Sequence, residues 1–171
     1  VVITTILSVV LWDTRVTVEA LVEYRGRLLM IRHDRDGVVR WEVPGGYVEP
    51  GETLEVAAAR EVAEETGMAV EVGELAAVRV MEAAYKGRRS VDGAFRARPL
   101  DPAAPLTPQV EEGIVGVAWV DPATLAEEDV HPMHRPLLDA WWPGRATRDE
   151  PLFYLADQVV DAAGRRTAVL R

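Results

Sequence analysis

The chain has 171 residues, a length that fits one domain, and 49% of them are hydrophobic, enough for a sizeable core. A net charge of −9 argues against a surface built to coat nucleic acid. There is no cysteine, which excludes disulfides, thiolate metal sites and cysteine nucleophiles.

Residues 1–12, VVITTILSVVLW, carry no charge. The run is too short to cross a bilayer and lacks a basic leader, so a cytoplasmic protein without a membrane span is expected. Its β-branched residues read as a strand preceding the core domain. An apolar strand of this kind is an edge that needs covering, which points to a homodimer in which residues 1–12 take part. Arg15 to Tyr24 reads as the next strand, Arg25-Gly26 as a tight turn, and Arg27 to Ile31 as the returning strand. His33 to Gly37 reads as a polar loop in which His33 is exposed. Trp41 to Val43 is a short strand running into Pro44-Gly45-Gly46, with Trp41 assigned to core packing rather than to stacking on a base.

From Gly45 to Met68 the sequence reads GGYVEPGETLEVAAAREVAEETGM. Thr53 suits an N-cap, Glu55 the first turn, and Gly67 the C′ position, so a helix of about three turns is expected over 54–65. Val56, Ala59, Val62 and Ala63 are its expected buried side. Glu61, Glu64 and Glu65 stand at i, i+3 and i+4, on one face and close to the end where the helix dipole opposes negative charge. Residues 46–68 hold six glutamates against one arginine, so −5 of the −9 lies here. Helix propensity does not ask for this crowding. Either the face is solvated, or a divalent cation supplies the missing positive charge; oxygen-only ligands suit Mg²⁺ or Mn²⁺ better than zinc.

Val70 to Met81 is strand-like and continues toward Tyr85, with Lys86 to Arg89 as a solvated turn and Ser90 to Ala97 as the next strand. Pro99, Pro102, Pro105 and Pro108 mark a long loop closed by Glu111-Glu112. Ile114 to Val120 is a strand containing Trp119. A turn at Asp121-Pro122, a short helix over Ala123 to Glu128 and a helix over Pro136 to Trp142 follow. His131 and His134 have no third ligand nearby in sequence and are assigned structural or surface roles. Two strand-like runs, 152–160 and 166–170, end the chain, and the whole of 1–171 reads as a single domain.

The glycine, glutamate and arginine spacing from Gly46 to Met68 resembles the Nudix box, the signature of hydrolases acting on a nucleoside diphosphate linked to another group. The resemblance implies an α+β fold, an α/β/α sandwich around a mixed sheet, here with an extra N-terminal strand. It implies metal binding by Glu61, Glu64 and Glu65, with the Gly45 carbonyl as a backbone ligand and Mg²⁺ as cofactor. Arg60 falls on the box arginine that orients carboxylates, and Glu52 on the glutamate that braces the loop and Arg60. A catalytic base in such enzymes often precedes a tryptophan-bearing strand, which points to Glu112, or else Glu111. The expected partner is a small-molecule nucleotide: a nucleoside triphosphate, ADP-ribose or another nucleotide sugar, or a dinucleoside polyphosphate. Ala83 and Ala84 stand where some ADP-ribose hydrolases carry a proline, whereas Tyr85 matches an offset seen in enzymes acting on dinucleoside polyphosphates and is a candidate substrate contact. The upstream motif of coenzyme A pyrophosphatases is absent. The rival reading is a Nudix-like nucleotide sensor without turnover, and an RNA-decapping role is disfavoured by the acidic chain.

Overall fold

The computed structural model describes residues 12–145, 150–160 and 166–170. The expected N-terminal strand, and the dimer contact assigned to it, lie outside the described residues apart from Trp12. Among the described residues nine strands form one mixed sheet: β1 (Asp13–Tyr24), β2 (Arg27–Arg35), β3 (Val38–Glu42), β4 (Gly45–Tyr47), β5 (Val70–Ala83), β6 (Arg88–Pro99), β7 (Ile114–Val120), β8 (Leu152–Val160) and β9 (Arg166–Leu170). The helices α1 (Leu54–Thr66) and α2 (Arg135–Trp141) pack on it. Among the described residues no helix is long and apolar enough to cross a membrane.

The sheet runs β3-β2-β1-β6-β5-β8-β9, with β4 on β1 and β7 on β2. β1 divides it into two wings. It pairs in parallel with β6 from Asp13 to Val22 on one side and antiparallel with the short β4 over Thr17 to Glu19 on the other. Its register with β2 covers only Glu23↔Leu28 and Tyr24↔Arg27. Beyond that hairpin the β2-β3-β7 wing diverges from β1, and the space between the wings is a cleft.

Residues alternate along β1 as the pleat requires. Val18, Ala20 and Val22 join Ala57, Ala58 and Val62 of α1, with Met68 and Phe95, in one cluster. Leu21 faces the other way and joins Leu137, Leu138 and Trp141 of α2. Each side chain of this size taken fully out of water contributes about 1.5–3 kcal/mol, so the two helices are held mainly by these stripes. The result is the expected α/β/α arrangement.

Several local expectations shift. Asp36 and Gly37 are both left-handed (φ 58° and 82°), closing a tight hairpin, so the expected polar loop is instead the end of β2 and a two-residue turn into β3. Ala123 to Glu128 is not a helix but two 3-10 turns, Pro122–Thr124 and Glu127–Asp129, separated by an extended Leu125 (ψ 133°). α1 buries Ala57, Ala58, Val62, Glu65 and Thr66, while Val56 and Ala63 are exposed. The stripe is rotated from the expected one because Glu65 turns inward with Val62.

Candidate active site

α1 begins and ends on its own sequence signals. The Thr53 side chain accepts from the Val56 N–H, and Gly67 is left-handed (φ 73°) with its N–H on the Ala63 carbonyl. No basic residue occupies the last turn, so Glu64 and Glu65 gain nothing from the helix end. Arg60 organises the acidic side. Its Nε and Nη2 donate to the two carboxylate oxygens of Glu52 at 2.8 and 2.9 Å, and Nη2 also donates to the Tyr47 carbonyl at 2.9 Å. Its Nη1 donates to Glu61 at 2.9 Å and Glu64 at 3.0 Å. These bonds lower Glu52 to about 2. Glu52 also accepts from the Glu49 N–H, so it braces the loop as the motif suggests.

The two glycines before the loop are required by close approach. A Cβ on Gly45 would sit 2.1 Å from the Val18 carbonyl oxygen, and one on Gly46 would sit 2.5 Å from a carboxylate oxygen of Glu61. Only bare backbone lets β4 lie on β1 while Glu61 lies over β4. The Gly45 N–H donates to Glu65 Oε2 at 2.9 Å. Glu65 is 6% exposed, and burial pushes it up to about 8 against that one hydrogen bond, with Glu61, Glu42 and Glu112 adding repulsion. Burial also raises Glu61, partly offset by Arg60.

The cleft holds about 620 Å³, and Gly45, Gly46, Glu61, Glu64, Glu65 and Glu112 all line it. These oxygens are the chemistry of a hard divalent cation site. Among the described residues no three His, Asp or Glu side chains already surround one point; Arg60 stands between Glu61 and Glu64 instead.

The cleft floor carries charges that sequence reasoning missed. Arg79 is 2% exposed and donates to Glu19 at 2.7 Å, to Asp92 at 2.9 Å and to the Met133 carbonyl. Asp92 also accepts from Thr17 and Ser90. This network ties β1, β5 and β6 to the segment before α2. Glu42 accepts both Arg35 hydrogen bonds at 2.8 Å. Burial would raise Glu42, but Arg35, His134 and His33 outweigh it and hold it far below the ordinary carboxylate range. His134 bridges the wings, with Nδ1 3.5 Å from Glu19 and Nε2 3.7 Å from Glu42. Glu19 and Arg79 are charges flanked by apolar residues in their strands, which is the signal that was available: such a group must be paired inside.

Glu111 and Glu112 fall in a 3-10 turn, Val110–Glu112, ended by left-handed Gly113. The Gly113 carbonyl accepts from Asp34 at 2.8 Å, anchoring the turn to β2. Tyr85 does not line the cleft; it is exposed, and its hydroxyl donates to Gln158 at 2.8 Å. His33 is not exposed as expected: its side chain is 13% accessible and stands 3.6 Å from Glu42. His131 is buried and accepts from the Met133 N–H, and burial lowers it to about 3. Trp41 packs against the α2-side core, as assigned. Arg89 pairs with Glu82, but Arg88 lines the cleft rather than a solvated turn.

Comparison with known proteins agrees with this geometry. A family model described as the NUDIX domain matches residues 13–141. A MutT-like protein of Streptomyces ambofaciens is 38% identical over 117 residues, covering 67% of this chain and 68% of that protein. The phosphatase NudJ of Escherichia coli K12 is 38% identical over 61 residues, covering 36% of this chain and 40% of that protein. The crystal structure of a NUDIX hydrolase from Nitrosomonas europaea superposes with a TM-score of 0.67 at 25% identity, covering 86% of this chain and 80% of that one. The solution structure of the E. coli ORF135 protein gives 0.66 at 28% identity over 81% and 95%. The chain belongs to the Nudix family of pyrophosphohydrolases.

Proposed function

We propose that this enzyme hydrolyses a phosphoanhydride of a nucleoside diphosphate derivative, by water attack at phosphorus, with Mg²⁺ as cofactor and Mn²⁺ as an acceptable substitute. The observation that carries the reading is the convergence of Glu61, Glu64, Glu65 and Glu112 on one cleft, with Glu65 buried against a single hydrogen bond from Gly45. Oxygen ligands, uncompensated negative charge and a carboxylate raised by burial are what a bound dication would relieve. Glu61, Glu64 and Glu65 would hold it, with the Gly45 carbonyl as a further oxygen. When bound, such an ion supplies positive charge against the phosphate oxygens and makes water more acidic.

The chain's own residues supply the rest. Glu112, with Glu111 as the alternative, takes the proton of the attacking water. Arg60 keeps Glu61 and Glu64 oriented through its shared Nη1, while Glu52 and the Tyr47 carbonyl fix the other side of the guanidinium. Candidate substrates are nucleoside triphosphates, ADP-ribose and other nucleotide sugars, and dinucleoside polyphosphates. The test is a panel of these nucleotides with Mg²⁺, with products identified by chromatography, run beside Glu64→Gln. Turnover of at least one nucleotide by the wild type, abolished in the variant and in EDTA, is expected. No turnover across the panel would leave a binding protein.

A further inference from the structure

The cleft is charged oppositely along its length. On one side lie Glu61, Glu64 and Glu65 of α1; at the other end lie Arg15, Lys86 and Arg88, with Glu49 next to Arg15 in the β1–β4 register. The strands explain this separation. Arg15, Thr17 and Glu19 share one face of β1, where Thr17 meets Asp92 and Glu19 meets Arg79. Glu19 pairs with Gly45, whose N–H holds Glu65, so this register marks the acidic end. Arg15 lies four residues back along β1, roughly 13 Å at the rise of a strand. Asp13 pairs in register with Arg88, which brings the turn before β6 to the same edge.

Among the described residues those three cations are incompletely neutralised. Arg15 and Arg88 share one carboxylate, Asp13, at 3.1 and 3.2 Å. Lys86 is exposed, with its ammonium 5.5 Å from the centre of the Tyr85 ring. Arg15 also donates to the Tyr47 hydroxyl at 2.9 Å and lies over its ring, so its guanidinium is held at the cleft mouth rather than swept through solvent. An anion entering between them would meet the guanidinium groups of Arg15 and Arg88, which share the single Asp13 carboxylate, and the Lys86 ammonium.

We infer that this cationic edge is a second phosphate subsite, formed by Arg15, Lys86 and Arg88, which selects substrates carrying an anionic group remote from the anhydride that is cleaved. The inference rests on the hydrolase reading of the acidic end and names the substrate class it takes. The remote phosphate could be a monoester on the nucleoside or the far part of a polyphosphate chain; both offer the same oxygens to guanidinium and ammonium groups.

Two matched pairs separate these sources. NADPH and NADH differ by one ribose phosphate, and diadenosine tetraphosphate and diadenosine diphosphate differ in the length of the phosphate chain. With Mg²⁺, kcat/KM should favour the more phosphorylated member of at least one pair by tenfold or more, through KM. In Arg15→Gln/Lys86→Gln/Arg88→Gln that ratio should fall toward one. Equal kcat/KM within both pairs, or a ratio that the triple variant keeps, overturns the subsite. Calorimetric binding of inorganic tripolyphosphate in EDTA is independent of turnover. It should be detectable in the wild type, weaken with added salt, and weaken at least tenfold in the triple variant; no binding, or equal binding by both proteins, is a further refutation. A panel without turnover but with this binding would instead sink the hydrolase reading and leave the subsite standing.

Discussion

Gly45 and Glu65 lie on different elements, yet the Gly45 N–H donates a 2.9 Å hydrogen bond to the Glu65 carboxylate. This one contact locks the end of α1 to the strand that carries the double glycine. It turns inward a carboxylate that the helix end disfavours. The neighbouring Glu61 lies over Gly46, so the two glycines and two of the acids fix one another's positions.

The two glycines should therefore fail differently. In Gly45→Ala the new methyl meets the Val18 backbone at 2.1 Å, which cannot swing aside. Overpacking of this kind costs about 1–3 kcal/mol or more, and a lower Tm is expected. In Gly46→Ala the obstacle is the Glu61 carboxylate, the end of a flexible side chain. Its Tm should stay near that of the wild type while hydrolysis falls strongly, because Glu61 is displaced. Melts of both variants beside an activity assay check the pair; equal stability loss in the two would refute the distinction.

Glu112→Gln should lower kcat by about 10²–10⁴, the range of a positioned general base, with Glu111→Gln the smaller effect. Single-turnover rates at saturating nucleotide are the measurement. If both variants keep the wild-type kcat, the base is one of the box glutamates or another loop residue.

His131 makes the fold acid-sensitive. Burial lowers its pKa to about 3 from the ordinary imidazole value of about 6.5. Between those values the unfolded chain binds the proton and the folded chain does not, so stability is present above pH 6.5 and is lost as pH falls. The slope is at most about 1.4 kcal/mol per pH unit for one proton. Glu65, raised to about 8, acts in the opposite sense over this window, so denaturant titrations from pH 6.5 to 5 should show the His131 effect as a difference, with His131→Asn gaining stability relative to the wild type as pH falls. Glu42, whose pKa is lowered, adds its own loss only as pH falls below the ordinary carboxylate value. Parallel slopes in the two proteins over this window would rule out His131 as the source.

Helix α1 was legible to within a residue, because Thr53 and Gly67 are local signals that act on the backbone directly. The two final strands were equally plain. The Asp36-Gly37 hairpin was hidden by its flanks: His33 and Arg35 look like loop residues, but they face Glu42 across the ladder. The buried stripe of α1 was misplaced because alanines on either side are interchangeable by hydropathy, and only Glu65 turning toward the cleft decides the rotation. The box acids share one helix, so their side of the cleft could be read from spacing. Glu19, Arg79, Asp92 and Glu42 come from four strands, and only the topology brings them to one floor.

The most direct test of the account compares the wild type with Glu64→Gln in thermal melts with EDTA and with Mg²⁺. In EDTA the two should be nearly equally stable, since relief of acid crowding is offset by loss of one Arg60 contact of the weak i,i+4 kind. With Mg²⁺ at a hundredfold excess over Kd, the wild type should gain about 2.7 kcal/mol. The variant should gain less, and its hydrolysis should fall by orders of magnitude. An equal Mg²⁺ shift in both proteins with full activity in Glu64→Gln, or full wild-type activity in EDTA, would contradict it.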